Sequence, residues 1–233
     1  MGAQLRLRLE RSRTFRREDF ILSEVNAEAV RAIDRWPNWH GGALALVGPA
    51  GAGKTHLAKD WAASHGADIM AGDAPGDTIA QRVVSLANAP RPVLLEDADR
   101  LRDDESLFHL INQAARPEGG LLITARTLPA AWPCRLPDLR SRLNALLIAE
   151  LGPPDDVILS GVLRALFRER SIRASDDLVS YLVRRIDRSI PEVERVVARL
   201  DETADQEGRP VNRALARQIF GAEAEADDLF DDL

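Results

Sequence analysis

The chain has almost no cysteine and almost no lysine. Cys134 is its single cysteine, so no internal disulfide framework staples the fold; the side chain reads as small, inert and suited to a reducing cytoplasm. Lys54 and Lys59 are the only lysines among 31 basic residues. That arginine bias, with abundant alanine, follows genome composition and carries little functional information. No apolar run approaches the length needed to cross a bilayer, which excludes a membrane-spanning helix. Arginines near the N-terminus are not followed by a hydrophobic segment, so they do not open a secretory signal. Strong basicity is missing too: the net charge is −6, unlike a dedicated DNA binder. Six of the acids (Glu223, Glu225, Asp227, Asp228, Asp231 and Asp232) fall within residues 223–233, which hold no base. That segment reads as a disordered, solvating tail, and the rest of the chain is close to neutral.

With 45% hydrophobic and 29% charged residues over 233 positions, the chain can bury a sizeable core as one large domain or two small ones. Residues 1–17 form a polar, arginine-rich arm. A helical pattern through Val25, Ala29, Val30 and Ile33 stops before Pro37. Short apolar runs then recur at Ala43 to Val47, Asp68 to Met70, Val93 to Leu95, Leu121 to Thr124 and Leu146 to Ile148. Unbroken runs of this length fit strands buried on both faces of a parallel sheet. Helical stretches lie between them at Lys54 to Ser64, Thr78 to Ala87 and Glu105 to Ala115. The alternation predicts a parallel five-stranded α/β sheet sandwiched by helices over 18–152. After Leu151-Gly-Pro-Pro the pattern turns wholly helical: Asp156 to Arg168, Ser175 to Arg185, Pro191 to Thr203 and Asn212 to Phe220. Residues 153–222 are therefore expected to form a small all-helical domain.

Gly48-Pro49-Ala50-Gly51-Ala52-Gly53-Lys54-Thr55 fits a P-loop and lies between an expected strand and an expected helix. The glycines let backbone N–H groups curl around phosphates, and the helix offers its N-terminus to the same charge. Lys54 would reach the terminal phosphates, and Thr55 would give its hydroxyl oxygen to Mg²⁺. The run Val93-Leu-Leu-Glu96-Asp97 ends a strand in two acids. P-loop ATPases place there the carboxylates that hold Mg²⁺ and orient the attacking water. Glu96 is the expected metal-side residue and Asp97 the catalytic one. Many strands also end in an acidic turn, so it is the placement one strand–helix unit after the P-loop that favours the functional reading.

At GPAGAGKTHL, VLLEDADRL, LLITAR and LPDLRSRL the chain resembles the AAA+ module of the bacterial replication initiator DnaA. It resembles still more the Hda family, shorter relatives that inactivate DnaA. The resemblance runs from about Phe20 to Phe220, and QLRLRL extends it to the arm. It implies an AAA+ P-loop module followed by a helical lid, binding ADP or ATP with Mg²⁺. Phe20, Ile21 and Leu22 match positions that line the adenine pocket, although ordinary core packing explains each equally well. Thr124 matches the sensor-one threonine. Arg142 matches an arginine finger, which completes a neighbour's site and is worth roughly 10³–10⁵ in rate. In this family the neighbour is ATP-bound DnaA. The peptide Gln4-Leu5-Arg6-Leu7-Arg8-Leu9 resembles the motif that docks such proteins on the DNA polymerase sliding clamp. Alternate leucines give an extended segment one apolar face, and Gln4 can bond at a pocket edge. An edge strand or a basic arm are the plainer alternatives.

Three departures from the pattern shape the expected function. Gly72 to Pro92 leaves no room for the extra helix with which the initiator loads DNA, and no helix-turn-helix follows the lid. Direct sequence-specific DNA binding is therefore not expected. Pro191 stands where relatives carry the sensor-two arginine, although Ser189 and Glu192 keep capping-box spacing; Arg185 or Arg188 are the candidate substitutes. Glu96 replaces the usual aspartate, and Arg126 replaces an acidic position after Thr124. Weak self-hydrolysis follows. The expectation is a cytoplasmic regulator, with no membrane partner and with self-association left open, that stimulates ATP hydrolysis by DnaA on the DNA-loaded clamp. A self-acting ATPase of helicase-loader type and a pure tether are the competing classes.

Overall fold

The computed structural model describes residues 15–227, with side chains as far as Phe220. The arm peptide Gln4 to Leu9 and the end of the acidic segment lie outside the described residues. Five strands form one parallel sheet: β1 (Ala43–Val47), β2 (Asp68–Ala71), β3 (Val93–Glu96), β4 (Leu121–Ala125) and β5 (Leu147–Glu150). Their order is β2-β3-β4-β1-β5. The chain first leaves β1 toward β2 and later returns to β5 on its other side. The crevice at the carboxyl ends of β1 and β4 is thus a topological switch point, where α/β sheets bind ligands.

The period-2 geometry of β1 sorts its residues between two cores. Leu44 and Leu46 pack with α1 (Ala27–Asp34) and α2 (Lys54–His65), around Leu57, Ala58 and Trp61. Ala43, Ala45 and Val47 face α3 (Gly76–Asn88), α4 (Asp104–Ala114) and α5 (Pro137–Ala145). Small residues on that second face let the helices approach closely. Each fully buried leucine contributes about 1.5–3 kcal/mol, so the two-sided burial of β1 makes it the centre of the domain. Helix α5 is absent from the pattern expected of the sequence. Its only buried residues are Leu139 and Leu143, too few to stand out beside Pro137 and two arginines.

The helical lid comprises α6 (Asp156–Glu169), α7 (Asp176–Val183), α8 (Ile190–Glu207) and α9 (Arg213–Asp227). Each of the first three starts at a side-chain cap: Asp155 accepts from the Ile158 N–H at 2.9 Å, Ser175 from Leu178 at 3.2 Å and Ser189 from Glu192 at 3.4 Å. Such a cap is worth about 1 kcal/mol. Only half of the capping box at α8 forms, because the Glu192 carboxylate pairs with Arg195 instead of returning to Ser189. Leu159, Leu163, Phe167, Leu182, Val193, Val197 and Leu215 fill a separate core. Helix α9 continues past residue 222 into the acidic segment, whose alternating alanine and glutamate are good helix formers. Among the described residues no helix is long and apolar enough to cross a membrane.

Contacts brace the passage from the α/β domain into the lid. Arg188 bonds the Pro154 carbonyl at 3.3 Å and Asp156 at 2.7 Å, bracing the chain as it enters α6. Ile21 packs so closely on Gly161 of α6 that a Cβ there would lie 3.0 Å from it.

Candidate functional site: a phosphate cradle at the switch point

The P-loop leaves β1 with Gly48 still in the sheet, its N–H donating to the Ala125 carbonyl of β4 at 3.2 Å. Gly51 (φ 74°) and Gly53 (φ 96°) then take left-handed conformations, which other residues enter only at a cost. The second of them starts α2. Lys54 turns back beneath the loop, and its Nζ donates to the carbonyls of Gly48 at 2.7 Å and Pro49 at 2.8 Å. It is 8% exposed, unusual for a lysine without a carboxylate partner. Burial pushes its ammonium below the ordinary 10.5; nearby Asp97 and Asp99 oppose that shift, and Arg126 adds to it. Thr55, one residue on, is exposed at the first turn of α2.

At the end of β3 the backbone of Asp97 is left-handed (φ 49°), a conformation that costs a non-glycine residue about 1 kcal/mol. Thr124 holds it there: buried at 1% exposure, its Oγ1 accepts the Asp97 N–H at 3.0 Å. These two predicted residues are therefore joined directly. Glu96 is engaged differently, with its carboxylate 3.2 Å from the Lys59 ammonium of α2. Among the described residues no three His, Cys, Asp or Glu side chains gather to hold a metal. A Mg²⁺ ion bound mainly by phosphates needs only one or two protein ligands, and Thr55 with an acid at the end of β3 meets that need. The left-handed glycines and the buried Lys54 likewise fit a nucleotide's phosphates.

The three candidate adenine-pocket residues separate. Phe20 lies against the loop, its ring 3.2 Å from the position of a Cβ on Gly53 and its centroid 5.5 Å from that of His56. Ile21 sits on the lid at Gly161. Leu22 is 59% exposed and shares neither packing. Sequence reasoning did not single out His56, which straps the arm to α2. Its Nε2 donates to the Arg16 carbonyl at 2.8 Å, and its ring meets Phe15 edge-on at 5.6 Å.

The lid touches the loop at the point where a sensor-two arginine was expected. The N–H of Ile190 donates to the Gly51 carbonyl at 3.1 Å. A Cβ on Gly51 would meet Pro191 Cδ and Ser189 Cβ, each at 2.8 Å. The two candidate substitutes are committed elsewhere: Arg188 to Pro154 and Asp156, and Arg185 to the face of Tyr181 at 4.1 Å.

Arg142 lies outside this cradle. Leu139 and Leu143 anchor α5 in the core beneath α3 and α4, on the sheet face opposite α2. Arg140 clamps the preceding turn by donating to Ala130 O at 2.7 Å and Trp132 O at 2.5 Å. Arg142 is exposed, and its guanidinium lies 5.2 Å over the Phe108 ring of α4.

No family model matches the chain. In sequence it is similar to the chromosomal replication initiator protein DnaA of Thermomicrobium roseum, 26% identical over 224 residues, with 85% of this chain and 48% of the relative covered. The chain thus spans about half the length of that relative, and less of the others. Among solved structures it superposes on domain III of the Thermotoga maritima initiator DnaA with a TM-score of 0.69 at 16% identity, covering 89% of this chain and 96% of that one. The Thermotoga maritima RuvB Holliday junction branch migration motor gives 0.70 at 18% identity, covering 88% and 71%. A replication initiator DnaA bound to AMPPCP and single-stranded DNA gives 0.62 at 19% identity, covering 83% and 68%. The fold is that of an AAA+ P-loop module with its lid, and the sequence likeness is to the AAA+ region of DnaA. Equal superposition on a RuvB motor means that fold alone does not choose between functions.

Proposed function

We propose that this chain is a nucleotide-bound regulator of a DnaA-type initiator, which it stimulates to hydrolyse ATP by supplying Arg142 in trans. The supporting observation is the placement of that arginine. It is exposed on α5, its guanidinium over the Phe108 ring, while Arg140 two residues earlier is locked into the fold. A cation so placed is free to enter another molecule's active site, where charge developing on the transferred phosphoryl makes it worth about 10³–10⁵ in rate. The β2–β3 connection contains one helix, α3, which supports a regulator rather than a DNA-loading initiator.

In this reading the chain's own cradle binds ADP or ATP. Lys54 exchanges its bonds to Gly48 and Pro49 for phosphate oxygens. The loop N–H groups and the first turn of α2 surround the same charge. Thr55 would hold Mg²⁺, with Glu96, now paired with Lys59, as the second candidate ligand. Mg²⁺ when bound would neutralise charge on the outer phosphates. Asp97 and Thr124 line the far side, and Phe20 with Ile21 closes over the base between loop and lid. Ile190 and Pro191 sit on Gly51, so filling the loop is felt by the lid and, through it, by the surface offered to a partner. The arm peptide Gln4 to Leu9 docks on the sliding clamp and raises the local concentration of regulator near DNA-bound initiator.

The test is ATP hydrolysis by a DnaA-type initiator with clamp loaded on DNA. Arg142→Ala removes the stimulation while nucleotide and clamp binding survive; deletion of residues 4–9 removes clamp binding. Unchanged stimulation by Arg142→Ala refutes the trans finger. The direct bond between Thr124 and Asp97 beside a buried P-loop lysine also supports a second reading, a self-acting ATPase. Steady-state turnover by the isolated chain, lost in Lys54→Ala and Asp97→Ala, would favour it.

A further inference from the structure

Strand β4 ends at Ala125, paired in register with Val47, the last residue before the P-loop. The next residue in each strand leaves the sheet at the same level, and these are Gly48 and Arg126. Arg126 is fixed through its backbone, whose N–H donates to Asp99 Oδ2 at 3.0 Å. Its side chain is exposed, and its guanidinium makes no hydrogen bond or ion pair among the described residues. Neighbouring strands are about 4.8 Å apart, a gap that an arginine side chain crosses easily.

Charge bears out the proximity, since Arg126 is among the groups that disfavour the charged form of Lys54. The acids nearby are turned to other tasks: Asp99 accepts the Arg126 backbone N–H, and Asp97 lies 3.9 Å from Arg100. Two cations thus share the mouth of the loop, and neither forms an ion pair among the described residues, although Asp97 and Asp99 are near enough to act on Lys54. At the sensor-two position the lid offers Pro191, which packs on Gly51, while Arg185 and Arg188 are held by Tyr181 and Asp156.

We infer that Arg126 binds the outermost phosphate of the nucleoside di- or triphosphate held in this chain's own P-loop, supplying from the end of β4 a cation that Pro191 cannot. The inference rests on the P-loop reading proposed above. A guanidinium suits the task because its planar fork can take two phosphate oxygens at once, which an ammonium cannot. The substitution Arg126→Ala spares the backbone bond to Asp99, so the turn after β4 stays in place.

The experiment titrates fluorescent ADP and ATP against the wild-type chain, Arg126→Ala, Arg126→Lys and Lys54→Ala, with each variant's thermal midpoint recorded without nucleotide. Arg126→Ala is expected to weaken ATP binding by about tenfold or more, to weaken ADP binding less, and to melt like wild type. Arg126→Lys recovers part of the loss. An ATP affinity within about twofold of wild type in Arg126→Ala, with Lys54→Ala binding nothing, overturns the role of Arg126 and leaves the P-loop reading standing. Wild-type binding by Lys54→Ala removes the P-loop reading and the inference with it.

Discussion

At the P-loop, Lys54 is buried and hydrogen-bonded to two carbonyls of its own loop; on α5, Arg142 is exposed with its guanidinium over the Phe108 ring. The first cation sits in a space the chain has already built around it. Left-handed glycines curve the loop, Thr124 props Asp97, and the lid closes on Gly51. The second is carried, exposed, on a helix that its neighbour Arg140 ties to the preceding turn. A buried cation that Asp97 and Asp99 offset only in part suits a small anion. A cation held outward on a rigid base is the one we propose for another molecule's site. The contrast separates a buried loop lysine at the strand ends from an exposed arginine on the helix layer opposite α2, and the proposed function gives each its own task.

Breaking the inward half gives the largest effect. Lys54→Ala is expected to cost about 2–5 kcal/mol of nucleotide binding, read by calorimetric titration with ADP, while the α5 face keeps its structure. Next comes the base of the outward half. Arg140→Ala removes two charge-assisted bonds to Ala130 and Trp132 and should lower stability by about 1.5–3 kcal/mol, measured by urea unfolding. It should also loosen α5, so that stimulation of the partner falls although Arg142 is intact. Thr124→Val deletes the acceptor for the Asp97 N–H and is expected to cost about 1–2 kcal/mol. It leaves that N–H unpaired at a strained position, and amide exchange at Asp97 should accelerate.

The smallest effect concerns protonation. Burial lowers the Lys54 pKa from 10.5, so the folded state releases this proton at a lower pH than the unfolded chain does. In the interval between the lowered value and 10.5, stability of the nucleotide-free protein rises with pH. With only two lysines in the chain, ¹³C-methylation gives two side-chain signals to follow. The Lys54 signal should titrate below 10.5 and move upward when ADP is added. A midpoint at or above 10.5 without nucleotide would contradict a setting in which burial outweighs the nearby Asp97 and Asp99.

Much of the cradle was legible because its determinants are local. Ala43 to Val47 is an unbroken apolar run that can only be a doubly buried strand, and the structure begins and ends it at those residues. The glycine spacing before Lys54 likewise announces the loop. Helix α5 was not legible, since two leucines among polar residues carry no clear period and the helix depends on the core formed by α4. The pairing of Glu96 with Lys59, the bond from Asp97 to Thr124 and the docking of Ile190 on Gly51 join residues 37, 27 and 139 positions apart. No sequence window contains such pairs. The commitment of Arg185 and Arg188 is of the same kind: their charge is visible in the sequence, but Tyr181, Pro154 and Asp156 become their partners only once the lid has folded.

The most direct test of the central claim is single-turnover hydrolysis of labelled ATP on a DnaA-type initiator, with clamp-loaded DNA and either the wild-type chain or Arg142→Ala. The wild-type chain should accelerate hydrolysis, and the variant should lose about 10³-fold or more of that acceleration while still binding ADP and clamp. Equal acceleration by the two proteins would contradict the claim that Arg142 acts in another molecule's site.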